Sequence, residues 1–329
     1  MAKTYTGTNG DDIVNQNNSN KAYYNIITKG GADQINLILT DTWVNAGSGA
    51  DVVTQEVEGG NRINLAGGAD TYTNDGFAKS GRHDQVYGGA GDDTMTIHTR
   101  QSDYFGGGGS DFISSAGYWN LLVGGDGNDT VSYMAQDDDY LKGWGVDIDL
   151  GREFARTGQG RKEIVENFEN AEGTSYGDGI LGSKGANKLW GMDGNDDLVG
   201  FKGDDKLFGG DGKDYLSGGN GADELTGGKG VDQLWGDAGN DHFIFANVNE
   251  TGVGSGNRDI IEDFENGDKI DLSAAGSFTF IGSAAFSNVA GELRFENGVV
   301  SGDVDGDGAA DFQIQVKGVN SLQGTDFIL

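Results

Sequence analysis

Residues 191–244 read GMDGNDDLV, GFKGDDKLF, GGDGKDYLS, GGNGADELT, GGKGVDQLW and GDAGNDHFI, nine-residue units in a frame that does not slip. Two weaker units, from Gly173 and Gly182, extend the array to 173–244. The sixth position is an acid or its amide throughout: Asp178, Asn187, Asp196, Asp205, Asp214, Asp223, Asp232 and Asp241. The eighth is apolar throughout, from Ile180 through Leu189, Leu198, Leu207, Leu216, Leu225 and Leu234 to Phe243. This spacing predicts a six-residue glycine-rich turn followed by a three-residue strand, because glycine supplies the positive-φ backbone that a tight repeated turn needs. Strand alternation then turns only the middle residue inward. One unit cannot bury that residue alone, so the units must stack.

The turn has a chemistry of its own. Calcium is a hard cation that takes six to eight oxygens at about 2.3–2.6 Å. A glycine-rich turn offers bare backbone carbonyls beside one carboxylate, and turns stacked on one edge can share an ion. The fold expected is all-β: a right-handed parallel β-roll or β-helix solenoid of Gly/Asp-rich nonapeptides, closed by a C-terminal β cap.

Residues 1–132 carry the same turn in degenerate form, with the acid at Asp12, Asp33, Asp51, Asp70, Asp93, Asp111 and Asp129. The intervals are 21, 18, 19, 23, 18 and 18, and eighteen is one complete coil of two nonapeptides. The other half of each coil keeps an inward residue (Ile26, Val44, Ile63, Val86, Tyr104 and Leu122) but not the glycine-rich turn. That second edge collects large side chains: Tyr23 and Tyr24, Trp43, Arg62, Arg82 with His83, Arg100 with Tyr104, and Tyr118 with Trp119. Aromatic faces and guanidinium forks one coil apart would suit an acidic polysaccharide. The same residues would equally serve to cover the bare ends of strands.

Residues 133–172 break the frame and hold the basic cluster Arg152, Arg156, Arg161 and Lys162, expected as a solvated loop pairing with nearby acids. Residues 173–244 are the regular roll, and 245–329 the cap that an open solenoid end requires. Within the cap, GDVDGDGAADF sets Asp303, Asp305 and Asp307 as an EF-hand loop would, but Ile314 stands where the closing glutamate belongs. A calcium-binding β-turn with Asp311 as a further ligand, or a metal-free acidic turn, fits better than an EF-hand.

Composition narrows the function. The chain has 329 residues, no cysteine, no proline, 61 glycines and a formal charge of −31. Disulfide and zinc-thiolate frameworks are excluded, and such a charge argues against a nucleic-acid partner. A chain this acidic repels itself until cations arrive, so calcium should drive its folding, at the roughly 10⁻⁴ to 10⁻³ M typical of extracellular modules. No stretch approaches the roughly 20 apolar residues of a membrane helix. The start, MAKTYTGTNGDD, has no apolar core of a cleaved signal peptide, so an extracellular location would need another export signal.

With its nonapeptides and cap together, the chain resembles the secreted RTX, or haemolysin-type, calcium-binding proteins of Gram-negative bacteria. Residues 259–329 resemble the C-terminal region of serralysins, including the closing Asp326-Phe327-Ile328-Leu329. That resemblance implies Ca2+ as cofactor, at several sites, and export by type I ABC secretion machinery that reads the uncleaved C-terminus. No HExxH is present, and His83, His98 and His242 do not share helical spacing, so the serralysin peptidase is not expected. Nor is there a GxSxG elbow, which sets aside the RTX lipases. The expectation is a non-enzymatic secreted calcium-binding protein of a surface, matrix or host interface. The alternatives are an acidic-polysaccharide lyase or C5-epimerase and a membrane-active secreted protein.

Overall fold

The computed structural model describes residues 3–16, 24–56, 59–74, 83–138 and 143–329. The chain divides into two compact units, Met1–Glu172 and Gly173–Leu329. Both are parallel β-rolls of short strands, and the only helical elements among the described residues are 3-10 turns. None is long and apolar enough to cross a membrane.

In the 1–172 unit one sheet runs from Thr4–Thr6 through Asn25–Ile27, Trp43–Asn45, Arg62–Gly67, Gln85–Ala90, Asp103–Gly109 and Leu121–Gly127 to Arg161–Glu166, all in parallel register. The facing sheet runs from Ile13–Asn15 through Gln34–Leu37, Val52–Gln55, Thr71–Asn74, Thr94–Ile97, Phe112–Ser115 and Thr130–Ser132 to Asn170–Glu172. Because the registers are exact, like residues stack on like. Ile26, Val44, Ile63, Val86 and Leu122 form one fully buried column, and Ile35, Val53, Tyr72, Met95, Ile113 and Val131 the other. The break in the sequence frame is an antiparallel excursion, Asp147–Asp149 and Phe154–Thr157, which returns as Arg161–Glu166 and resumes the stack beside Leu121–Val123.

In the 173–329 unit the same plan is more regular. Ile180, Leu198, Leu216 and Leu234 stack on one side and Leu189, Leu207, Leu225 and Phe243 on the other, all fully buried. The nonapeptide pattern stops at 244, but the coil does not. Asp259–Ile261 pairs with the strand of Leu234, and Lys269–Asp271 with the strand of Phe243. A final coil follows in which Phe312–Val316 pairs with Asp259–Ile261 and Phe327–Ile328 with Lys269–Asp271. The antiparallel strands Glu292–Glu296, Val299–Asp303 and Phe312–Val316 complete this end. Phe312 is fully buried there, with Phe278 edge-on at 5.5 Å, and Phe280 packs on Phe327 at 4.9 Å.

Candidate metal centre

Each aspartate of the sixth position is held by the coil below it. The backbone N–H of Asp33 donates to Oδ1 of Asp51 at 2.8 Å, and the series continues through Asp70, Asp93 and Asp111 to Asp129. In the second unit two such ladders run, one on each edge: Asp178 to Asp196 to Asp214 to Asp232, and Asn187 to Asp205 to Asp223 to Asp241. One carboxylate oxygen is thereby consumed. The other oxygen, Oδ2, is buried with no donor from the protein at Asp33, Asp51, Asp70, Asp93, Asp111 and Asp129. The same holds at Asp196, Asp205, Asp214, Asp223, Asp232 and Asp241.

Those orphaned oxygens face a cradle that glycine leaves open. A Cβ on Gly209 would lie closer than 3.0 Å to both Oδ2 of Asp214 and the carbonyl oxygen of Gly227, one coil on. Gly191, Gly200, Gly88 and Gly106 meet the same pair of oxygens from their own turn and the next. Oxygens of like sign converge with nothing positive between them, which is costly in a buried setting. Burial, reinforced by neighbouring aspartates, pushes Asp196 and Asp232 up from an ordinary 3.8 to about 8, and Asp93, Asp205 and Asp241 to about 7, although the backbone donors pull the other way. All-oxygen donors with several carboxylates suit a hard divalent cation and not a thiophilic one. When bound, calcium would supply the positive charge that these columns lack.

The first turn of each ladder differs. Thr8 donates its N–H to Oδ2 of Asp12 at 2.7 Å, and the Thr8 hydroxyl lies 3.4 Å from the same oxygen. In the second unit Thr174 does the same for Asp178, with its N–H at 2.6 Å and its hydroxyl at 3.2 Å from Oδ2. Ser183 donates to Asn187 in the same way at 2.7 Å. Expected as cation ligands, Asp12 and Asp178 instead have their outer oxygen already engaged by a threonine, because the residue after the first glycine of GTNGDD and GTSYGD carries a hydroxyl. The far ends close on acids outside the nonapeptide frame. Asp129 donates its N–H to Glu169, Asp232 to Asp259 and Asp241 to Asp268, whose second oxygen accepts the Glu265 N–H at 2.7 Å.

The model of the RTX calcium-binding nonapeptide repeat matches residues 80–96, 105–140, 172–207, 202–225 and 208–243. The chain carries RTX calcium-binding nonapeptide repeats. Among solved structures it is similar to the AlgE6R3 subunit from the Azotobacter vinelandii mannuronan C5-epimerase, at 24% identity and a TM-score of 0.31, over 46% of this chain and 78% of that one. It is also similar to the extracellular lipase LipA from Serratia marcescens, at 16% identity and a TM-score of 0.24, over 79% of this chain and 45% of that one. No curated protein matches the chain.

The second edge of the 1–172 unit shows what an RTX coil does without the repeat's aspartate. At the positions matching the calcium-turn aspartate stand Thr42, Asn61, Asp84, Ser102, Asn120 and Glu163. Thr42 N–H donates to Asn61, Asn61 N–H to Asp84, Asp84 N–H to Ser102 and Ser102 N–H to Asn120. The second oxygen of Asp84 accepts from Gln55 at 2.6 Å, so this edge satisfies itself. Fully buried Glu163 ends the series, accepting from Ser115, Asn120 and Tyr133 while burial pushes it up to about 7.

The candidate polysaccharide residues on that edge divide into exposed and buried groups. Trp43 and Trp119 are exposed, Arg62 lies over the Tyr87 ring, Arg100 donates to the Tyr118 hydroxyl, and His83 approaches the Gln101 carbonyl. Tyr104 is a correction: it points inward, fully buried, with its hydroxyl on Thr99, because the strand alternation that makes it a core residue turns it away from solvent. Tyr23 and Arg82 lie outside the described residues. In the C-terminal loop, carboxylates of Asp303, Asp305 and Asp311 converge within 4.8 Å of one another. Asp307 stands outside that group, its Oδ1 accepting the Ala309 N–H. Strands flank this loop, and Asp303 is engaged by the N–H groups of Gly306 and Gly308.

Proposed function

We propose that this RTX protein is a secreted, non-enzymatic solenoid that folds on calcium outside the cell and serves at a surface, in a matrix or toward a host. The observation that carries the reading is the columns of buried aspartates, each with one oxygen that no protein donor satisfies. A cytosol poor in calcium would leave those columns self-repelling and the chain extended, the state in which a type I ABC exporter can pass it. Calcium outside would then close the turns, and binding free energy becomes folding free energy. In this reading the Asp303–Asp305–Asp311 loop is an accessory calcium site of the C-terminal region.

The test is a calcium titration of chelated protein at physiological salt, followed by far-ultraviolet circular dichroism and by elution volume. A cooperative change from expanded to compact near about 10⁻⁴ to 10⁻³ M is expected. A chain already compact in chelator would overturn the reading.

A further inference from the structure

The second edge of the 1–172 unit carries a surface that the calcium ladder does not use. An open cavity of about 550 Å³ is lined there by His83, Gln101, Asp103, Trp119, Lys162 and Ile164, among others. Trp119 stands over it, 56% exposed, with its backbone in the left-handed region at φ 61. A bulky residue rarely holds that conformation unless its surroundings impose it. They do so here: the Trp119 N–H donates to the Lys162 carbonyl at 2.8 Å, and the indole meets Tyr118 edge-on at 5.1 Å. Tyr118 is in turn clamped, with the Arg161 guanidinium 4.2 Å over its ring and Arg100 on its hydroxyl. The result is a fixed, solvent-facing aromatic plane.

The charge around it runs against the rest of the molecule. In a chain of net charge −31, the antiparallel excursion delivers Lys162 to the cavity wall and Arg161 to the Tyr118 ring, and the only acid among the described lining residues is Asp103. Asp103 accepts from the Gln85 side chain at 3.3 Å. Sequence separates the basic cluster from the aromatic edge by about forty residues, and the pairing of Leu121 with Ile164 joins them. The surface also repeats. Trp43, Arg62, Gln85, Asp103, Leu121 and Ile164 stack in one outward column, one per coil. Parallel strands are about 4.7–4.9 Å apart, close to the length of one pyranose in a 1,4-linked chain.

We infer that this face binds an anionic, uronate-type polysaccharide, with Trp119 as the platform for a sugar ring and Lys162 as the partner for its carboxylate, while Arg161 holds Tyr118 behind the platform. The inference deepens the proposed function and rests on it in one respect: the coils that hold Trp119 must be folded by calcium. Apolar ring faces stack on aromatic planes while the ammonium pairs with carboxylate, so both features are needed for the anionic sugar and neither alone selects it.

The test is calorimetric titration of calcium-loaded full chain with a short soluble oligogalacturonate and with its methyl ester, on wild type, Trp119→Ala and Lys162→Gln. Saturable binding of the acid form, weakened at least about tenfold in each variant with the calcium midpoint of folding unchanged, is expected, and the ester should bind far more weakly. Lys162 is exposed, so Lys162→Gln keeps the test open should Trp119→Ala disturb the coil. Absence of binding to folded wild type would overturn the inference. So would equal binding by both variants, which would mean attachment through the calcium ladder, or equal binding of the ester. Circular dichroism on the same samples separates these outcomes from a failure to fold, which would count against the ladder itself.

Discussion

The two edges of the 1–172 roll share one backbone plan and meet its demand differently. On one edge each coil's N–H is received by an aspartate whose other oxygen is left without a partner; on the other, Asn61, Asp84, Ser102 and Asn120 receive it with every polar atom answered from within the protein. The 173–329 unit has aspartate ladders on both sides. The stack itself therefore needs only an acceptor at the sixth position. Aspartate adds a buried oxygen that the protein does not satisfy, and in the proposed reading the cation that answers it makes the stack conditional on calcium.

The largest expected effect breaks that contrast open. Removing calcium should expose the amides of 173–245 to hydrogen exchange before those of the 1–172 unit, because the acceptors on one edge of the latter, Asp84 included, are satisfied from within the protein. Peptide-resolved exchange in chelator reads this, and earlier loss of the 1–172 unit would contradict it. Next comes pH. Aspartates raised from 3.8 to between about 6 and about 8 hold their protons more tightly folded than unfolded, so in chelator stability falls as pH rises from about 4 through about 8. Circular dichroism in chelator should thus show structure gained on acidification over that window, whereas with calcium present protons compete with the ion and the midpoint worsens.

Moving a charge between edges sharpens the comparison further. Asn120→Asp would set a carboxylate against fully buried Glu163, and a loss of roughly 3 kcal/mol that calcium does not rescue is expected in denaturant titrations. On the calcium edge, Gly209→Ala should fill the cradle beside Asp214 and cost about 2 kcal/mol, seen as a higher calcium midpoint. An unchanged midpoint would mean that the cradle holds no ion.

Much of this was legible because a nonapeptide is its own ruler: the frame of 173–244 names the buried leucines and the aspartate column without any long-range information. The self-satisfied edge was not, since its acceptors are chemically mixed and lie 19, 23, 18 and 18 residues apart from Thr42 to Asn120, with no glycine signature. Glu163 reaches its place only through the Phe154–Arg161 excursion. Asp259 and Asp268 lie 27 residues from their donors, beyond the last repeat, so only the register of Leu234 with Ile261 and Phe243 with Ile270 reveals them. The hydroxyl caps had a visible signal, Thr8, Thr174 and Ser183 in place of the second glycine, but its meaning depends on which oxygen of the following acid remains free. Tyr104 stood both in the inward column and on the aromatic edge, and the structure keeps only the inward place that alternation gave it.

The most direct test of the ladder is anomalous diffraction from calcium-loaded crystals at a wavelength where the ion scatters. Peaks beside the orphaned oxygens from Asp33 to Asp129 and from Asp196 to Asp241, with none at the hydroxyl-capped Asp12, Asp178 and Asn187, are expected. Peaks at the capped turns, or none along Asp33 to Asp129, would contradict the assignment of unsatisfied Oδ2 atoms as the mark of a calcium site.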